Sequence, residues 1–184
     1  INKHTDYFNT KLYTGNGSSQ AITGVGHQPD FTWIKVRNYD SSHALFDAVR
    51  GGTKRINSNQ TAAESTYSGG IQSFDTDGFT VGNGGAVNDN NYNFVSWNWK
   101  ANGSGSSNTD GSTNSTVSVN TTAGFSIVKY TGADAVRTVG HGLGVKPNMI
   151  IVKRLGSTGT WQVYHSSLGA TKYLELNAGT VATT

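Results

Sequence analysis

Apolar and polar residues alternate along short runs of this chain, and nowhere do apolar residues recur at i, i+3, i+4 and i+7 over a helical window. The clearest run is residues 93–99, with Val95, Trp97 and Trp99 on one face and Phe94, Ser96 and Asn98 on the other. Successive strand residues point to opposite sides, so this order predicts a strand. Residues 31–37 are apolar on both faces near their start, which suits a central strand. Further strands are expected over 6–14, 20–23, 43–47, 54–56, 71–74 and 79–81, each bounded by Gly, Asn, Asp or Ser. After them come 116–119, 125–131, 161–165 and 173–176. Residues 57–70 read as a loop or irregular edge, and the chain as all-β.

The same order occurs twice. Gly24-Val25-Gly26-His27-Gln28-Pro29 leads into one strand and Gly142-Leu143-Gly144-Val145-Lys146-Pro147 into another, the two prolines lying 118 positions apart (147 − 29). That offset also places Leu45-Phe46 on Val163-Tyr164, Gly51 on Gly169 and Thr53-Lys54 on Thr171-Lys172. Upstream it becomes 117, where Tyr13-Thr14-Gly15 meets Tyr130-Thr131-Gly132. A register held through residues as unlike as Pro, Gly and Lys predicts an internal duplication. The expected organisation is a first unit over 1–100, a Gly/Ser/Asn linker over 101–115 and a second unit over 116–184. By the offset, nothing in the second unit answers to residues 67–99, so it is expected to be incomplete and the chain to be a piece of something longer.

Composition narrows the class. Apolar residues are 34% and charged residues 14% of the chain, the deficit being filled by Gly, Ser, Thr and Asn, which favour turns over helices. Four Trp, eight Tyr and seven Phe supply enough aromatic area to argue against disorder. A net charge of +3 without clustered Lys and Arg is no nucleic-acid footprint. Cysteine is absent, which removes disulfides and thiolate metal sites. No apolar run reaches the about 18 residues of a membrane span.

Candidate chemistry is sparse. Asp75-Thr76-Asp77-Gly78 reads first as a polar turn, with a loop calcium site from Asp75, Asp77, Asp89 and Asn91 as the alternative. Tyr39, Tyr67 and Tyr92, in polar surroundings with Asn91 nearby, are candidates for stacking on sugar rings. Trp33, Trp97, Trp99 and Trp161 fall within strands and are expected in the core. His27 and His141 occupy non-equivalent positions of the repeated turn, and the histidines are expected to be surface substitutions. The glycine turns precede strands, so the helix N-terminus of a phosphate loop is missing. No catalytic set stands out.

Three groups of motifs carry a resemblance. They are Tyr13-Thr14-Gly15-Asn16-Gly17 with Trp33-Ile34-Lys35, then Ser73-Phe74-Asp75-Thr76-Asp77-Gly78-Phe79, then Val139-Gly140-His141-Gly142-Leu143-Gly144-Val145-Lys146-Pro147 with Tyr164-His165-Ser166-Ser167-Leu168-Gly169. Together they resemble an uncharacterised repeat of tail-fibre and other virion proteins of marine bacteriophages, cyanophage-type. The resemblance implies tandem β-sandwich units of jelly-roll, concanavalin-like outline in a virion protein. It also implies other virion proteins and further copies, commonly trimers, as partners. It carries no catalytic residues and no cofactor. The expected role is a structural or host-attachment segment; the alternatives are a lectin module for host-surface glycan, a capsid decoration protein and, least favoured, a polysaccharide depolymerase.

Overall fold

The computed structural model describes residues 3–178. A 3₁₀ turn (His4–Asp6) leads into β1 (Phe8–Thr14), β2 (Gln20–Thr23), β3 (Phe31–Val36), β4 (Ala44–Asp47), β5 (Lys54–Arg55), β6 (Ser65–Thr66), β7 (Ile71–Asp75) and β8 (Gly78–Val81). One helical turn, α1 (Gly85–Asn88), precedes β9 (Asn93–Trp99). The chain continues through β10 (Ser106–Asn108), β11 (Ser115–Asn120), β12 (Phe125–Tyr130), β13 (Met149–Val152), β14 (Gln162–His165) and β15 (Leu174–Glu175). The fold is all-β and its strand pairs are antiparallel. α1 escapes the sequence reading because four residues are too few to show a helical period.

In the first half, a sheet of order β1-β9-β3-β4 faces a sheet of order β2-β8-β7. Ile34, Val36, Ala44, Phe46 and Phe94 from the first meet Ile22, Ile71, Phe79 and Val81 from the second in one core. β3 lies between β9 and β4, the central place its apolar faces require. Tyr13 stacks on Phe94 at 5.2 Å, and its hydroxyl donates to the Val87 carbonyl at 2.6 Å.

The faces of β9 are opposite to expectation. Phe94, Ser96 and Asn98 are fully buried, on the face that meets this core. Trp97 and Trp99 are half-buried on the other side. Trp33 meets Trp97 edge-on at 6.3 Å, and Phe8 lies 4.8 Å from Trp99. The expectation that Trp97 and Trp99 fill the core is therefore corrected, and Trp33 is half-buried at the margin of a smaller core. Small Ser96 and Asn98 fit between the sheets because Asn98 Nδ2 donates to Asn9 O, Ser96 O and Ser96 Oγ.

The outer face is covered by the second half. Phe125 of β12 packs 6.1 Å from Phe31 and 6.2 Å from Trp99. Trp161, 4% exposed, joins Leu45 and Ile56 in a smaller core, with Trp33 and Leu155 against it. Its Nε1 donates to the carbonyls of Asn57 and Gln60. Lys153 donates from Nζ to the carbonyls of Thr61, Arg154 and Gly159.

The second half holds sheets of order β10-β11-β12 and β13-β14-β15. Residues 106–108, expected within a linker, are the strand β10, paired with β11 from Ser106 opposite Val117 to Asn108 opposite Ser115. A Ser- and Asn-rich composition leaves the backbone free to pair at a sheet edge, which composition alone does not report. Residues 57–70, expected as a loop or irregular edge, hold the two-residue strand β6, which pairs with β5.

The pairings of the two halves share a register. Phe31–Asp47, Thr32–Phe46, Trp33–Leu45 and Ile34–Ala44 join β3 to β4. Met149–His165, Ile150–Tyr164, Ile151–Val163 and Val152–Gln162 join β13 to β14, each number raised by 118. The bridge Leu45–Ile56 returns as Val163–Leu174. The Ala48 N–H to Asp30 carbonyl bond returns as Ser166 to Asn148.

Candidate functional site

The glycine turn before β3 closes on a carboxylate of the same chain, the exposed Asp77. Gly24 and Gly26 adopt φ of 76° and 88°, a left-handed region that glycine enters without a Cβ penalty. Their N–H groups converge on one side chain: Gly24 N donates to Asp77 Oδ2 at 2.9 Å and Gly26 N to Asp77 Oδ1 at 2.7 Å. Between them Val25 N donates to the Asp77 carbonyl. The bonds from Gly26 and Gly24 hold the Asp77 carboxyl below the usual carboxylate range.

The three aspartates of the candidate calcium loop thus have separate tasks. Asp75 accepts a hydrogen bond from Thr80 Oγ1 at 2.8 Å across the β7–β8 hairpin. Asp77 is taken up by the glycine turn, and Asp89 follows α1, accepting from Asn90 N. Among the described residues no three His, Asp or Glu side chains gather as a metal-binding group. Asn91 keeps its place for a different reason: its φ of 65° and the bond from its N–H to the Gly15 carbonyl shape the loop before β9.

Two of the three candidate tyrosines come together. Tyr39, 61% exposed, meets Tyr92 edge-to-face with ring centroids 5.4 Å apart. The loops that carry them are tied to each other: Asn93 N donates to Asn38 Oδ1, and Arg37 N donates to the Asn93 carbonyl. Lys35 Nζ adds a bond to the Tyr39 carbonyl at 3.2 Å. The result is an exposed Tyr39 ring, held by ordered backbone and backed by Tyr92, which itself packs against the main core. Such a face can stack on the C–H side of a sugar while amides meet its hydroxyls.

Tyr67 belongs elsewhere. Its ring lies under Arg55 at 4.2 Å, its hydroxyl accepts from Ala86 N, and it packs against the main core. The sequence reading missed Asn88, which is fully buried and orders this end of the molecule. It accepts from Asn16 N and donates to Asn16 Oδ1, the Ser18 carbonyl and the Gly82 carbonyl. Nothing in the run Asn88-Asp89-Asn90-Asn91 sets it apart from its neighbours, since its role follows from burial.

His27 is a buried residue and not a surface substitution. It is 3% exposed, its Nδ1 lies 2.9 Å from the Thr5 carbonyl, and burial pushes its pKa down. His43 accepts the Trp33 indole N–H at 2.7 Å, and burial, with Lys35 nearby, lowers its pKa as well. Both sit where a neutral imidazole is favoured.

A family model spans residues 3–184. The chain belongs to DUF7483, a domain of unknown function. Comparison with curated proteins and with solved structures finds no match. For this DUF7483 chain, the surface that gathers sequence-expected residues is the Tyr39–Tyr92 face, and the converging donors of Gly24–Gly26 are already occupied by Asp77.

Proposed function

We propose that this chain is a structural segment of a phage virion appendage of the tail-fibre kind, with a role in host-surface attachment. In this reading it consists of two tandem, related β-sandwich units of jelly-roll, concanavalin-like outline. The observation that carries the reading is the recurrence of strand register at one offset, from Phe31–Asp47 to Met149–His165 and from Leu45–Ile56 to Val163–Leu174. Repetition of one β unit along a chain builds length and stiffness while its loops remain free to carry a binding surface. The virion assignment rests on the resemblance of the repeated motifs. Its partners are other virion proteins and further copies, as a trimer, and the reading assigns no catalytic step or cofactor.

A lectin reading is favoured by one observation, the exposed Tyr39 ring set edge-on to Tyr92 among Asn38, Asn91 and Asn93. One experiment addresses both. Fluorescently labelled protein is incubated with a panel of marine bacteria, cyanobacteria included, with free surface polysaccharide as competitor. Saturable binding is expected. If polysaccharide abolishes it and Tyr39→Ala weakens it at least tenfold, the lectin surface is supported. Absence of binding by folded, assembled protein would contradict the attachment role.

A further inference from the structure

β12 and β13 each have a neighbour along one edge only among the described residues, since each is the terminal strand of its sheet. Their counterparts at offsets 117 and 118 are β1 and β3, and these are joined by β9. β9 pairs antiparallel with both, Phe8 and Phe31 each lying opposite Trp99. The first unit therefore shows what such a pair of strands accepts. β3 is sealed, with Thr32, Ile34 and Val36 buried. On β13 all four residues are exposed, Met149 at 52% and Ile150 at 43%. An exposed apolar strand with a free edge is a template for strand addition.

The glycine turn supplies a second, independent observation. Gly142 and Gly144 adopt φ of 71° and 72°, matching Gly24 and Gly26. In the first unit the equivalent N–H groups hold the Asp77 carboxylate. Among the described residues the N–H groups of Gly142 and Gly144 have no acceptor. The exposed Lys146, two residues on, favours an anion at the same place.

We infer that the second unit is an acceptor for a β segment patterned like residues 71–99. An Asp-Gly hairpin would place its carboxylate on the Gly142–Gly144 turn, and an alternating aromatic strand would pair with β12 and β13. The occupant is a partner segment distinct from residues 3–178. Main-chain bonds to both open edges supply affinity, and alternate side chains over Ile150 and Val152 supply specificity. The inference rests on the two-unit reading above and is independent of the attachment role.

The test titrates a synthetic peptide of residues 67–99 into the ¹⁵N-labelled 184-residue protein and follows amide hydrogen exchange. The expected result is saturable one-to-one binding, with exchange slowed at least tenfold at Gly142, Gly144 and within β12 and β13. An Asp77→Asn peptide is expected to bind at least tenfold more weakly, because it loses charge-assisted bonds to two N–H groups. Ile151→Lys in the protein, an exposed position that leaves the fold intact, is expected to abolish binding. Absence of binding would overturn the inference, as would protection confined to β1 and β3. Protection of β13 that rises with protein concentration without peptide would also overturn it, by naming a second copy as the occupant. The register of β13 with β14 is measurable in the free protein, so a failed titration is distinguishable from failure of the two-unit reading.

Discussion

Gly78 shows how little space single positions leave. Its φ is 154°, and a Cβ there would lie 1.9 Å from the Ile22 carbonyl oxygen, at the end of the β2–β8 pairing where Gly78 lies opposite Thr23. Gly78→Ala must push β8 away from β2 or strain the turn, at an expected cost of about 3 kcal/mol. A lower urea midpoint with an unchanged slope would record that cost. The aspartate before it was legible as a turn residue, but not as the anchor of a glycine turn 51 residues upstream, because that contact depends on the sheet. The histidines also act at this scale. His27 and His43 have folded pKa values below that of the unfolded chain. The unfolded state therefore binds more protons as pH falls, so their stability contribution is whole above about 6.5 and declines as pH falls below it, down to the folded pKa. The melting temperature is expected to drop between pH 7 and pH 5, and the His27 ring proton resonance to titrate below the ordinary histidine range. A His27 midpoint above 6.5 would contradict this account.

Among elements, the alternation in β9 was readable and its orientation was not. Period two separates Val95, Trp97 and Trp99 from Phe94, Ser96 and Asn98, but it does not say which set faces the second sheet. That depends on a second layer, Phe125 and Trp161, arriving on the tryptophan side from sequence positions far away. Strand β10 was hidden for another reason, since Ser106, Ser107 and Asn108 carry no apolar signal and are held through their backbone. The connection after β4 rests on a buried ion network. Arg50 Nε meets Asp47, its Nη1 reaches Glu64 at 3.0 Å and the Lys54 carbonyl at 3.0 Å, and the side chains of Arg50 and Asp47 are only 5% and 6% exposed. Removing the cation leaves a buried carboxylate without its partner, so Arg50→Ala is expected to cost roughly 3–5 kcal/mol. Chemical denaturation checks it. The double variant Arg50→Met, Asp47→Leu should recover part of the loss, because the two most buried charges leave together and only the more exposed Glu64 stays behind.

At the scale of the molecule, the first half has a closed core and the second half leans on it. Trp161 and Phe125 make that contact from the second half, and its strand β13 stays exposed on both faces. Trp161→Ala is expected to cost about 3–5 kcal/mol locally. Amide exchange should rise across β13, β14 and β15 while β3 and β9 keep their protection. Uniform loss of protection would instead mean that the two halves unfold as one. The recurring register was the most legible feature of the sequence, because turn glycines and prolines fix backbone shape and so mark register directly. The central claim is that this register is repeated, and cross-strand Hα–Hα contacts in the ¹³C,¹⁵N-labelled protein test it most directly. Leu45 exchanges both backbone bonds with Ile56, so its pairing with Trp33 is of the close, non-hydrogen-bonded kind, and Val163 with Ile151 is its counterpart. Strong contacts are expected between Trp33 and Leu45 and between Ile151 and Val163. Contact of Ile151 with Gln162 or Tyr164 in place of Val163 would mean a slipped register and would contradict the account.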